Sequence, residues 1–178
     1  MINFLKKNKW LLLVAVVALY VVGKYLYAKP RFINGEIAPN FRATTHDNQP
    51  FDLSLLRGQY VCSIFWGSWC GPCLKEMPDL VRLYSNYHDK KLTDATNFTI
   101  VSVGIETERE KWLSAIEKMN ARWQYHISDL KNMDSPIAQQ YGVRVIPTKF
   151  LLNTEGVIIG VNQSSADIEK FLATKILK

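Results

Sequence analysis

Two cysteines, Cys70 and Cys73, stand three apart in the run Trp69-Cys70-Gly71-Pro72-Cys73. At a helix start this spacing puts their Cβ atoms about 5–6 Å apart on one face, within reach of a disulfide after small adjustment. The spacing predicts Cys70 at the helix N-terminus, where unpaired N–H groups and the helix dipole favour a thiolate. A thiolate is the species that attacks a disulfide, so Cys70 is the expected nucleophile. Cys73, one turn in and more buried, is expected to resolve the mixed disulfide. Pro72 suits a first turn, because the N–H it lacks would be unpaired there anyway. The competing reading is half a zinc site. That needs two more ligands, and Cys62, His46, His88 and His126 offer no second pair at metal-ligand spacing. Redox chemistry without metal or other cofactor is therefore expected.

Such a pair needs a strand to deliver it and a helix to hold it. Tyr60 to Trp66 is an unbroken apolar run, as in a strand buried on both faces. A helix is expected from Cys70 to Tyr87, with Leu74, Met77, Val81 and Tyr84 along one side and a kink at Pro78. Phe98 to Gly104 is a second buried strand, and Thr107-Glu108-Arg109-Glu110 reads as a capping box opening a helix with Trp112, Leu113 and Ile116. Upstream, Phe41–Thr45 and Phe51–Leu53 flank a turn and suggest a small hairpin. Downstream come a short strand at Tyr125–Ser128, a short helix at Pro136–Tyr141 and a hairpin joining Lys149–Asn153 to Val157–Val161. A closing helix from Ser165 should bury Ile168, Phe171, Leu172 and Ile176. The alternation predicts an α/β fold with a mixed central sheet flanked by helices.

Phe65-Trp66-Gly67-Ser68-Trp69-Cys70-Gly71-Pro72-Cys73 resembles the active site of thioredoxin-fold thiol–disulfide oxidoreductases, and Val145-Ile146-Pro147-Thr148 resembles their loop with a cis proline facing that site. Three further runs resemble the TlpA/ResA-like branch, related to the AhpC/TSA redoxins. They are Ala38-Pro39-Asn40-Phe41, Asp52-Leu53-Ser54-Leu55-Leu56-Arg57-Gly58 and Lys75-Glu76-Met77-Pro78. The resemblance covers residues 36–178. It implies a thioredoxin fold with an N-terminal β-hairpin and an insertion after the active-site helix. It also implies exchange with cysteines or disulfides of client proteins, with Trp69, Gly71, Pro72, Ile146 and Pro147 forming the client surface. The Gly-Pro dipeptide resembles the reducing end of the family, so a reductase fed by a membrane electron donor is expected. Cytoplasmic thioredoxins carry a buried acid six residues before the nucleophile, where this chain has Ile64. Glu76 matches the glutamate of the TlpA/ResA-like proteins. At 100° per residue it lies about 60° around the helix from Cys73 and about 120° from Cys70, better placed to exchange a proton with the resolving thiol.

The net charge of +6 has a narrow origin. Lys6, Lys7, Lys9, Lys24, Lys29 and Arg31 supply all of it, and the rest of the chain balances 16 acids with 16 bases. No basic face for nucleic acid follows. Trp10 to Val22 is an apolar run of 13 residues, and extension to Ala28 gives 19. A helix of that length spans about 28 Å, close to a bilayer core. Residues 1–9 are expected as a cytoplasmic n-region, 10–28 as a transmembrane signal anchor in contact with lipid, and 29–35 as a linker. A cleaved signal peptide is the alternative. Either way the remaining domain, 36–178, should face the periplasm of a bacterium.

Other residues receive quieter readings. Cys62 is expected to be a buried structural thiol, His126 structural, Trp112 and Trp123 packing, and Trp66 core or groove wall. Two rival functions remain. A peroxiredoxin-like thiol peroxidase would carry Thr or Ser three residues before the cysteine and Pro four before that, where this chain has Gly67 and Ser63. A copper chaperone usually has three residues between its cysteines, not two.

Overall fold

The computed structural model describes residues 9–28 and 31–177. Helix α1, Lys9–Ala28, comes first. A hairpin of β1 (Arg42–Thr44) and β2 (Pro50–Asp52) follows, then a short 3-10 turn at Leu53–Leu56. The main body runs β3 (Tyr60–Trp66), α2 (Gly71–Tyr87), β4 (Phe98–Gly104), α3 (Arg109–Lys118) and β5 (Tyr125–Ile127). It closes with α4 (Pro136–Gln140), β6 (Thr148–Leu152), β7 (Ile158–Val161) and α5 (Ser165–Ala173).

The five main strands order as β5-β4-β3-β6-β7, which puts β3 at the centre. It pairs in parallel with β4 from Tyr60↔Phe98 to Trp66↔Gly104, and antiparallel with β6 from Val61↔Leu152 to Phe65↔Thr148. This is the mixed sheet of a thioredoxin fold. Parallel neighbours need a crossover, and α2 supplies it. All seven residues of β3 are buried, so its side chains divide by parity. Tyr60, Cys62, Ile64 and Trp66 pack under α2 and α5, while Val61 and Phe65 join the cluster under the hairpin and α4. On the inner side of α2, Met77, Leu80 and Leu83 are fully buried. Each is worth about 1.5–3 kcal/mol relative to exposure. Trp66, Trp112 and Trp123 are core residues. The α3–β5 excursion after β4 supplies the edge strand.

Three expectations change. The helix expected from a capping box at Thr107 begins one residue later, with Glu108 as N-cap and no side-chain cap bond. Glu108 is instead drawn to Lys111 at 2.7 Å. The closing helix stops at Ala173, and Ile176 lies beyond it, bridged to Leu92. The last residue of the linker is held to the sheet, since the Gly35 N–H donates to the Ile158 carbonyl, and Glu36 to Ala38 continue alongside residues 156–158, with Ile37 bridged to Val157. Residues 1–8 of the expected n-region and residues 29–30 of the linker lie outside the described residues.

Candidate active site

Strand β3 ends at Trp66, and three residues later the chain turns into α2. Cys70 is the N-cap, with φ −89° and ψ 101°, and Pro72 occupies the first turn. Cys70 and Cys73 form a disulfide with their Cα atoms 5.2 Å apart. The Cys73 N–H points at Cys70 Sγ across 3.2 Å, so one otherwise orphaned helix donor is aimed at the sulfur. Cys70 retains 5% exposure and Cys73 none. The first sulfur is therefore the reachable one.

The turn between β3 and α2 is clamped from the β4 side. Trp69 Nε1 donates to the Ile105 carbonyl at 2.8 Å, leaving its ring 58% exposed beside Cys70. The Ser68 hydroxyl donates to Glu106 Oε2 at 3.0 Å, and the Ser68 N–H donates to Glu106 Oε1. Glu106 is buried, and burial pushes its carboxyl up against the pull of both Ser68 bonds. Gly67 permits this packing, because a Cβ there would come within 2.9 Å of Trp69 Nε1.

The other wall is the loop before β6. The Ile146–Pro147 bond is cis, and the Ile146 carbonyl oxygen stands 3.8 Å from Cys70 Sγ. Thr148 Oγ1 holds the loop by donating to the Val145 carbonyl at 2.7 Å. A groove of about 520 Å³ opens on the α3 side, lined by Trp69, Leu74, Lys111, Ala115, Lys118 and Met119. Beneath the first turns of α2, Glu76 is ion-paired with Lys149 of β6. Burial pushes the Lys149 ammonium down and the Cys62 thiol up to about 12.

The structure thus brings together Trp69, Cys70, Gly71, Pro72, Cys73, Ile146 and Pro147. Glu76 turns toward β6 rather than solvent. Ser68, Glu106 and Lys149 escaped the sequence reading. A lysine directly before the apolar run from Phe150 to Leu152, and a glutamate directly after the buried run ending at Ile105, were the available signals, since buried charges need partners.

Residues 34–161 match the AhpC/TSA family model, a span holding both the cysteine pair and the Ile146–Pro147 loop. The chain belongs to the AhpC/TSA family. Within this redoxin family it is 30% identical to the thiol–disulfide oxidoreductase ResA of Bacillus thuringiensis over 168 residues, covering 87% of this chain and 88% of that one. It is 29% identical to ResA of Bacillus subtilis, over 85% of this chain and 80% of that one. Among solved structures, the thioredoxin domain of a thiol–disulfide oxidoreductase from Bacteroides vulgatus superposes with a TM-score of 0.69 at 26% identity. That match covers 79% of this chain and 99% of the other. This redoxin is a thiol–disulfide oxidoreductase of the ResA type.

Proposed function

We propose that the protein is a membrane-anchored, periplasm-facing reductase of protein disulfides, in which Cys70 attacks and Cys73 resolves. The observation that carries this reading is the setting of Cys70 Sγ, which caps α2, receives the Cys73 N–H and faces the Ile146 carbonyl. In the reduced state the cap position and the Cys73 N–H favour a thiolate at the more accessible sulfur. That thiolate attacks a client disulfide, one client sulfur leaves as thiolate, and a mixed disulfide forms through Cys70. Cys73 then gives up its proton and attacks Cys70 Sγ. The second client sulfur leaves with the bonding electrons, and the Cys70–Cys73 disulfide forms. Two electrons pass to the client, and a donor at the membrane must return them.

The backbone at Val145–Ile146 offers a short edge on which an extended client segment can lie, with Pro147 behind it and Trp69, Gly71 and Pro72 as the facing wall. Glu76 is the proton acceptor for Cys73, one helical turn away. The anchor reading, residues 10–28 with a linker to 35 and the catalytic domain from 36, is supported by α1. Its Lys9–Tyr27 stretch has mean hydropathy 1.9, and none of it is buried. Nineteen residues suffice to cross a bilayer core.

The test is capture. Cys73→Ser should accumulate mixed disulfides with periplasmic proteins in cells, all through Cys70 and all in the membrane fraction. Capture of no protein, or a catalytic domain released into the soluble fraction by cleavage before residue 30, would overturn the corresponding half of the proposal.

A further inference from the structure

One charged side chain enters the apolar layer beneath α2, and the reaction written above gives it no task. Lys149 sits on β6 directly opposite Ile64 of β3, and cross-strand partners share a face of the sheet. The face is the one that carries Cys62, Ile64 and Trp66 under α2. There Lys149 meets Glu76, with side-chain exposures of 6% and 20%. Against an apolar pair of the same volume a buried ion pair adds little stability. Its place one turn from Cys73 points instead to a use for its charge.

We propose that Lys149 is a positioning residue that keeps Glu76 ionised beside Cys73, and so sets the pH at which the resolving thiol releases its proton. The inference rests on the reading of Glu76 as proton acceptor. In the resolving step the Cys73 S–H proton passes to the Glu76 carboxylate and the Cys73 sulfur bonds to Cys70 Sγ. The bond from Cys70 to the client breaks, and the client sulfur takes the electron pair. With Lys149 present, the pair is neutral, and a thiolate at Cys73 adds a single negative charge to it. With Lys149 removed, carboxylate and thiolate are two like charges within one turn, which raises the apparent pKa of Cys73. With Glu76 removed, a lone ammonium faces the thiolate and lowers it.

Cys62 of β3 interacts electrostatically with Lys149, and Cys73 of α2 lies in the same buried cluster as Cys62. Other charges on the packed elements turn elsewhere. Asp79 pairs with Arg82 and Lys75 is exposed on α2, while on α5 Lys170 pairs with Asp167 and Glu169 takes the Asn86 amide.

The experiment follows the Cβ carbon chemical shift of Cys73 against pH in the reduced full chain. Wild type, Glu76→Gln, Lys149→Met and the double variant are compared. The midpoint should fall in Glu76→Gln and rise in Lys149→Met, each by about one pH unit, with the double variant between them. Lys149→Arg should stay with wild type. If Lys149→Met does not fold, adding it to Glu76→Gln still reads the ammonium, and the midpoint should rise. A shift in Glu76→Gln with none from any Lys149 substitution would sink this inference and leave Glu76 as acceptor. Equal midpoints in wild type and Glu76→Gln would remove both. A merely structural pair would lower Tm in both single variants without moving the midpoints in opposite directions.

Discussion

Glu106, two residues past β4, accepts hydrogen bonds from both the N–H and the hydroxyl of Ser68, two residues before Cys70. One carboxylate thus ties the second buried strand to the turn that presents the nucleophile. Glu106→Ala removes both acceptors and leaves the Ser68 N–H half-buried and unpaired, a loss of about 1–2 kcal/mol. For a chain of this size the fall in Tm is roughly 2–8 °C. Calorimetry of the oxidised protein measures it.

The same carboxyl has a pH signature. Burial raises its folded pKa above the unfolded value, so the folded state holds the proton more readily between those two values. Stability contributed by this group therefore declines as pH rises from about 4.5 through the folded pKa, and is level above it. Glu106→Gln cannot titrate. Its stability relative to wild type should be higher at neutral pH than near pH 4, read from denaturant midpoints at both.

His126 behaves in the opposite sense. Its ring is buried between Ser102 Oγ at 2.6 Å and the Ala121 carbonyl at 2.9 Å, and burial pushes its pKa down to about 4. The unfolded chain binds the proton first, so stability is full above about pH 6.5 and is lost as pH falls toward 4. The loss amounts to roughly 2–4 kcal/mol. In His126→Gln the slope of stability against pH should flatten across that window.

Among the three thiols of the reduced protein, two should react and one should not. Cys70, at the helix N-terminus, should alkylate fastest, with a midpoint below the ~8.5 of free cysteine. Cys62 is fully buried and its thiol is pushed up to about 12, so it should stay unmodified up to pH 9 until denaturant is added. Mass spectrometry after timed alkylation counts the labels. Early labelling of Cys62, or Cys73 titrating no higher than Cys70, would reverse these assignments.

What could be read in the sequence follows how local each feature is. The pair Cys70–Cys73 and the strand Tyr60–Trp66 were legible because a helix turn and an apolar run are properties of a few consecutive residues. The Ile146–Pro147 loop was legible only through its resemblance to a family, since nothing local says that it will meet a residue 76 positions away. Lys149 and Glu106 stayed hidden for the same reason. Each is an ordinary charge until the register Ile64↔Lys149, or the closeness of Glu106 to Ser68, places it indoors. The capping box at Thr107 misled because Glu108, one residue on, begins the helix and spends its carboxylate on Lys111.

The route by which the chain enters the sheet has a mechanical consequence. Gly35 N–H donates to Ile158, Ile158 N–H to Glu36 and Ala38 N–H to Gly156, at 2.8, 2.8 and 3.0 Å. Tension that reaches Gly35 therefore loads the rim of the sheet at β7. Strand β6 stands between that rim and β3. A pull passing through Gly35 would peel these three bonds before any strain reached β3, the strand that leads to Cys70.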